Sequence, residues 1–465
     1  MTTEIHYQSL LDVSRQIGNG EVSPVELTDA MLARIEAVDG ELKSYALVTP
    51  ERARADAQAA ETEIKAGRRR GPLHGVPIAL KDLCRTKGTT TAAGMTIHAD
   101  HVPDHDATVT ARLAQAGAVL LGKLQMTEGA FADHHPDIPS PLNPWNADHW
   151  PGVSSSGSGV ATAAGLCFAS LGSDTGGSIR FPSTANGVTG LKPTWGRVSR
   201  YGVFDLAPSL DHIGPMCRTA ADAGAVLGVI AGEDPNDPTA ATAPVPNYLA
   251  GLERGVRGLR VGVDPRFNSE GIEDAMASTC ADAVEVLRDL GADIRTVAFP
   301  DPTDVVAGWL AHCGVETAVA HEETYPALKD RYGPGLGGLI EVGRALGGMD
   351  YQKIILDRQA FTGRMRRLFE DVDLLVMPAQ YIASPTWATM ATLGEDPDGL
   401  ASLLRCTCPL DMSGSPSITL PSGFTEGGMP IAFQIVGRHF EEDLLIRAGH
   451  AYQRATDWHL RHPAI

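Results

Sequence analysis

Several features common in other functional classes are missing from this sequence. No unbroken apolar run approaches the roughly 18 residues that a membrane-spanning helix requires. The opening residues, MTTEIHYQSLL, lack the basic-then-apolar layout of a secretory leader, so a soluble, cytoplasmic chain is expected. Seven cysteines are scattered at 84, 167, 217, 280, 313, 406 and 408 with no CxxC pair. Cys406 and Cys408 are close, but they lack zinc-type spacing, which points to reduced thiols. There is no Gly-x-Ser-x-Gly elbow and no Ser-x-x-Lys, which argues against the α/β-hydrolase and β-lactamase templates. Basic charge is also scarce. Lys and Arg number 38 against 57 Asp and Glu, a net charge of −19. So acidic a surface repels phosphate backbones and anionic lipid, so neither nucleic acid nor membrane is an expected partner. The one dense basic run, Lys65 to Arg70, reads as the solvated end of a helix.

What is present is an ordinary globular balance of apolar and charged residues, with 50 Gly and 31 Pro to punctuate many short connections. Residues 5–70 read as a helical layer, with Ser23-Pro24-Val25-Glu26 as a capping box. Beyond it, strand and helix signals alternate. Apolar runs at 76–80, 118–121 and 168–171 read as buried strands, with helices at 107–116, capped by Asp106, and at 161–166. A Pro-rich stretch at 233–258 reads as a linker, after which alternation resumes with strands near 259–263, 292–298, 374–378 and 431–435 and a helix near 272–290. Residues 303–372 form a helical excursion broken at the Gly-rich stretches 333–338 and 346–348. This alternation predicts one α/β domain over 1–465, with a signature core at 71–232.

The chemistry concentrates in residues 151–183. Asp174-Thr175-Gly176-Gly177-Ser178 places paired glycines before a serine, so several backbone N–H groups can converge where an oxyanion would form. Three serines, Ser154 to Ser156, lie upstream on a compact loop, and Lys81 ends an apolar strand, where desolvation would favour a neutral amine. Gly117 to Leu124 nearly spells a phosphate-binding loop, but Leu124 replaces the hydroxyl residue that would hold Mg²⁺. His98, His101 and His105, with Asp100, Asp104 and Asp106, match no firm metal-ligand template and read as a polar loop. No metal is expected. His134 and His135 precede Pro136 in a loop that could line a pocket.

From Gly71 to about Ala220, and again from about Cys408 onward, the chain resembles the amidase signature family. The resemblance is carried by Gly75-Val76-Pro77-Ile78-Ala79-Leu80-Lys81-Asp82, by Leu171-Gly172-Ser173-Asp174-Thr175-Gly176-Gly177-Ser178-Ile179-Arg180, and by Pro430 to Gly437. It implies an α/β/α sandwich around a large mixed sheet, often a homodimer, working without a cofactor. It also implies Ser178 as nucleophile, Ser154 as a bridging serine held by a cis peptide bond, and Lys81 as base. The N–H groups of Thr175, Gly176, Gly177 and Ser178 would form the oxyanion hole. The family's usual Gly-Gly-Ser-Ser-Gly-Gly-Ser reads here Gly152-Val153-Ser154-Ser155-Ser156-Gly157-Ser158. That departure leaves the cis bond open, together with the choice of Ser154 over Ser155 or Ser156. Asp174 and Arg180 are expected to brace the loop.

Gln125, Met126, Trp145 and Trp150 are candidate pocket residues, with Trp309 and Trp387 beside them; such walls favour apolar or aryl groups. The expected activity is hydrolysis of small-molecule amides, extending to carbamates and aryl esters. Two alternatives are the A subunit of a tRNA-dependent amidotransferase and a binding protein on an inactive scaffold. Phe131-Ala132-Asp133-His134-His135 departs from the stretch such subunits usually carry, and the intact Lys81, Ser154 and Ser178 speak against the inactive scaffold.

Overall fold

The computed structural model describes residues 4–465. Its strands are β1 (Tyr45–Val48), β2 (Pro77–Lys81), β3 (Val119–Leu124), β4 (Ala169–Asp174), β5 (Thr189–Lys192), β6 (His212–Cys217), β7 (Arg260–Val263), β8 (Asp293–Thr296), β9 (Leu374–Pro378), β10 (Ser417–Phe424) and β11 (Pro430–Gly437). All eleven join one mixed sheet in the order β1-β3-β2-β4-β6-β5-β10-β11-β9-β7-β8, with helices packed around it as an α/β/α sandwich. β2, β3, β4, β6, β9 and β11 are buried along their whole length, as strands covered on both faces must be.

One arrangement in the sheet matters most for function. β2 runs parallel to both β3 and β4, so Lys81 at the end of β2 and the loop leaving β4 after Asp174 emerge at the same edge. β6 pairs antiparallel with β4 and places His212 opposite Asp174.

The helical layer at the N-terminus is interrupted. Ser23 Oγ accepts from the Glu26 N–H and starts helix Pro24–Leu42, which ends when Lys43 takes a left-handed conformation. The chain then forms β1, an edge strand on β3 whose four residues are too few to leave a period in the sequence. Asp106 is not a helix cap. It accepts from the Lys87 N–H at 2.7 Å, and helix Thr108–Gln115 starts without a side-chain cap. The Gly-rich stretch at 333–338 is not a break either. Pro334 opens helix Pro334–Ala345, which packs on helix Thr303–Ala320 so closely that a Cβ on Gly343 would lie 1.9 Å from the Gly314 carbonyl oxygen. Burial there outweighs the poor helix propensity of its glycines. The 233–258 stretch is largely irregular but anchored, with Ser199 Oγ donating to Asp234 and the Arg200 N–H to Asp237.

All seven cysteines are buried and unpaired. Among the described residues, no helix is long and apolar enough to cross a membrane, and no cluster of three or more His, Cys, Asp or Glu is arranged around a metal position. His105 pairs with Asp104, while His98 packs edge-on against Phe204.

Candidate active site

Lys81 is fully buried, and its ammonium has hydroxyl partners only: Ser154 Oγ at 2.6 Å, Ser173 Oγ at 2.8 Å and Ser155 Oγ at 3.0 Å. No carboxylate touches it. Burial pushes its pKa down from 10.5 to about 7, against weaker upward pulls from Cys84, Asp174 and Asp211. Lys123, one strand away, is equally buried but keeps a carboxylate partner, Asp82 Oδ1 at 3.0 Å. The surroundings of Lys81 favour the neutral amine near neutral pH.

The three loop serines have different partners. Ser155 Oγ gives its proton to the Ser173 carbonyl at 3.1 Å and accepts from the Ser173 N–H at 3.2 Å, so toward Lys81 it can only accept. Ser156 Oγ lies 3.0 Å from His134 Nε2. Ser154 Oγ is the nearest to Lys81, and the Thr127 N–H holds its carbonyl at 3.3 Å. The Val153–Ser154 peptide is cis. The loop rests on helix Arg180–Asn186, which follows Ser178. A Cβ on Gly152, whose φ is +81°, would lie 2.4 Å from Pro182 Cα. Any other residue at 152 would force the serine loop and this helix apart.

Within 171–180, Ser178 is the one partly exposed residue. Asp174 organises the turn around it. Its Oδ1 accepts from the Gly177 N–H at 2.6 Å and its Oδ2 from the Ile179 N–H at 2.9 Å. Arg180 returns to the same carboxylate through Nε at 3.0 Å and Nη2 at 2.8 Å, and Nη2 also reaches Asp411 at 2.5 Å. Burial alone would raise the Asp174 pKa. The charge and hydrogen bonds of Arg180, with Lys192 nearby, instead hold it well below the usual carboxylate range. Asp411, by contrast, is pushed up by burial and by the Asp174 charge, against the pull of Arg180. Thr175 is pinned on both sides, its hydroxyl to Asp211 at 2.6 Å and its carbonyl by the Trp309 indole N–H at 2.9 Å. Thr407 Oγ donates to the Gly176 carbonyl at 2.6 Å. Gly177 has φ of +140°, and a Cβ there would meet the Phe181 ring at 2.3 Å. Because the Gly177 N–H is committed to Asp174, it does not stand free beside those of Thr175, Gly176 and Ser178.

Trp150, Phe181 and Leu403 form an apolar patch beside this loop, with Val153, Tyr381 and Trp387 packed against it. Trp150 and Trp387 therefore join the site, and Trp309 supports it from behind. Of the other candidate pocket residues, Gln125 meets the serine loop through its backbone, its carbonyl accepting from the Gly157 N–H at 3.0 Å, while its side chain turns away to the Met126 N–H. Met126 is fully buried in the main core. Trp145 packs on Phe424 and donates to the Asn186 carbonyl at 2.9 Å, in a separate aromatic group with Trp458. His134 does reach the site. Burial, then the Lys81 charge, lower its pKa to about 4, so it is neutral where Lys81 titrates. Asp211 and Asp411 are site neighbours outside any motif, and Ser173 lies within one that assigns it no role. The tight Ser155–Ser173 exchange could have been found only from the pairing of the loop with β4.

A sequence model of the family described as Amidase matches residues 26–446. The chain is 51% identical over 456 residues to "Putative amidase AmiD" of Mycobacterium tuberculosis (strain ATCC 25618 / H37Rv), covering 98% of this chain and 96% of the relative. It is 41% identical over 490 residues to the A subunit of the glutamyl-tRNA(Gln) amidotransferase from Roseiflexus sp. (strain RS-1), covering 100% of this chain and 99% of the relative. Among solved structures it superposes on a native peptide amidase from Stenotrophomonas maltophilia with a TM-score of 0.84 at 31% identity, covering 98% of each chain.

Proposed function

Since the chain belongs to the amidase (amidase signature) family, we propose that it hydrolyses amide C–N bonds through an acyl-enzyme on Ser178, with Ser154 bridging to Lys81. The observation that carries this reading is the buried, carboxylate-free Lys81 ammonium 2.6 Å from Ser154 Oγ. Neutral Lys81 takes the Ser154 proton while Ser154 takes the proton of Ser178, whose oxygen attacks the carbonyl carbon. Ser154 is preferred over its neighbours because the Ser155 proton is tied to a carbonyl and Ser156 faces His134. The N–H groups of Thr175, Gly176 and Ser178 are assigned to the oxyanion. Removing one such donor typically costs about 10²–10³ in rate. As the tetrahedral intermediate collapses, the C–N bond breaks and Ser154 returns a proton to the leaving nitrogen. Water then repeats the sequence on the ester, releasing a carboxylic acid and regenerating the Ser178 hydroxyl.

The aromatic patch of Trp150, Phe181, Tyr381 and Trp387 supports a substrate with an aryl or other apolar group. Carbamates and aryl esters present the same carbonyl to the same oxyanion site and belong to the proposed range. The relationship to a component of an amidotransferase favours a second reading, in which the chain acts only inside a complex.

The purified chain, assayed alone against anilides, aliphatic amides, carbamates and aryl esters, separates the two. Turnover of aryl amides without a partner is expected; inactivity on the whole panel would reject the free-standing reading. The pH profile is a second test. The base must be neutral, so kcat/KM is expected to rise with pH through about 7 and level off above it. His134, pushed down to about 4, contributes no limb in that range. A profile that is flat between pH 5 and 9, or falls as pH rises through 7, would exclude Lys81 as the base.

A further inference from the structure

Away from the site, a cavity of ≈ 530 Å³ opens between helix Gly348–Asp371 and the segments Thr194–Trp195 and Met412–Gly414. Its size lies within the range of about 300–1,000 Å³ typical of small-molecule pockets. In a chain carrying 57 acidic residues, no carboxylate lines it, whereas Arg358, Arg366 and His439 do. The guanidinium of Arg358 donates to the Met412 carbonyl at 2.7 Å and, on Ser209, to the hydroxyl at 2.7 Å and the carbonyl at 2.6 Å, with Glu316 behind Ser209, so Arg366 is the cation left without a carboxylate. Arg366 is exposed and has no ion-pair partner among the described residues. The His439 pKa is lowered to about 4 by burial first and then by the charges of Lys192 and Arg366. Trp195, Ile355 and Met412 supply apolar surface. An adjoining pocket of ≈ 280 Å³ shares Arg366 and His439 and adds Met365 and Phe369, with one carboxylate, Glu370.

The walls of this cavity connect directly to the nucleophile loop. Met412 follows Asp411, which accepts from Arg180, the residue that grips Asp174. Thr194 and Trp195 follow Lys192, whose ammonium lies 4.0 Å from Asp411 Oδ1 and donates to the Ser415 carbonyl at 2.6 Å. The Trp195 N–H closes the two walls on the Gly414 carbonyl at 3.1 Å.

We propose that this cavity binds a small organic carboxylate with an apolar body, the carboxylate on Arg366 and the body against Trp195, Ile355 and Met412, and that its occupancy alters turnover through Asp411. The coupling rests on the amide-hydrolase reading, whose products include a carboxylic acid; the binding does not.

Benzoate is the probe. Calorimetric titration into the intact chain is expected to show binding that Arg366→Glu weakens about tenfold or more, since a charge-assisted contact becomes a repulsion. Inorganic phosphate, an anion with no apolar body, is expected to bind more weakly than benzoate. Absence of benzoate binding up to about 10 mM, or equal binding by Arg366→Glu, overturns the site. On an amide turned over by the parent, benzoate is expected to change kcat in a way that added substrate does not relieve. Arg366→Glu should lose that response while its benzoate-free kcat/KM stays within about twofold of the parent, as befits an exposed position. Inhibition fully relieved by substrate would place benzoate in the active site and overturn the coupling. Calorimetry reads the binding even if no amide proves to be a substrate, so the two readings fail separately.

Discussion

Ser178→Ala is expected to lower kcat on any amide the chain turns over by about 10⁴–10⁶-fold, leaving only the contribution of oriented binding and the oxyanion amides. The fold should survive. Ser178 is partly exposed, and the turn is held by Asp174 through the N–H groups of Gly177 and Ile179, none of which the substitution removes. Lys81→Met should reach a similar floor, because without a proton acceptor the Ser178 oxygen has no path to lose its proton. The telling measurement is the double variant. If the three residues act as one relay, Ser178→Ala with Lys81→Met is no slower than Ser178→Ala alone. Two losses that multiply would mean Lys81 acts separately from the nucleophile. A slow substrate followed by intact-protein mass spectrometry should reveal an acyl adduct on the parent and none on Ser178→Ala. An adduct persisting in Ser178→Ala would move the nucleophile elsewhere.

How much of this was legible in the sequence follows from how each feature is built. β2, β9 and β11 were readable because fully buried strands are continuous apolar runs. β6 was not: His212-Ile213-Gly214-Pro215-Met216-Cys217 carries a Gly-Pro pair that reads as a turn, yet it pairs along its whole length with β4. β10 hides for a similar reason, its Pro421 and Gly423 falling where the register shifts against β11. Such strands exist because their neighbours impose them, and no local pattern carries that information. In the site, Lys81 and Ser178 stood out through long motifs, but the choice among three adjacent serines could not be made from spacing. The proposed choice turns on which proton is already committed, and the Ser155 proton goes to the Ser173 carbonyl on β4. The tryptophans mark the other limit. Trp150 and Trp145 are five positions apart in a single loop region, yet one joins the apolar patch at the site and the other packs on Phe424.

The second large effect concerns stability and follows from charge counting behind the nucleophile loop. Arg180 serves two buried carboxylates, Asp174 and Asp411, and all three side chains are fully enclosed. Arg180→Met would leave the two acidic side chains facing each other, with Lys192 4.0 Å and the His212 ring 3.5 Å from Asp411, so it is expected to cost about 3–5 kcal/mol, the usual loss when one partner of a buried pair is removed. Asp174→Ala leaves Arg180 with Asp411 as a partner. Its cost arises from the stranded N–H groups of Gly177 and Ile179, about 1–3 kcal/mol for each buried donor left unsatisfied. The double variant should therefore cost less than the sum of the two single variants, by a coupling on the order of 0.5–3 kcal/mol. Urea unfolding midpoints of the three variants test this coupling. If Asp174→Ala further destabilises Arg180→Met by its full single-variant cost, the two residues are not sharing one charge balance. In that case Arg180 would be braced mainly by the Thr407 carbonyl, to which Nη1 donates at 2.8 Å, and by Asp411. Activity should behave differently. Both variants that lack Asp174 lose the carboxylate that shapes the turn at Ser178, so the coupling in stability should bring no recovery of activity in the double variant.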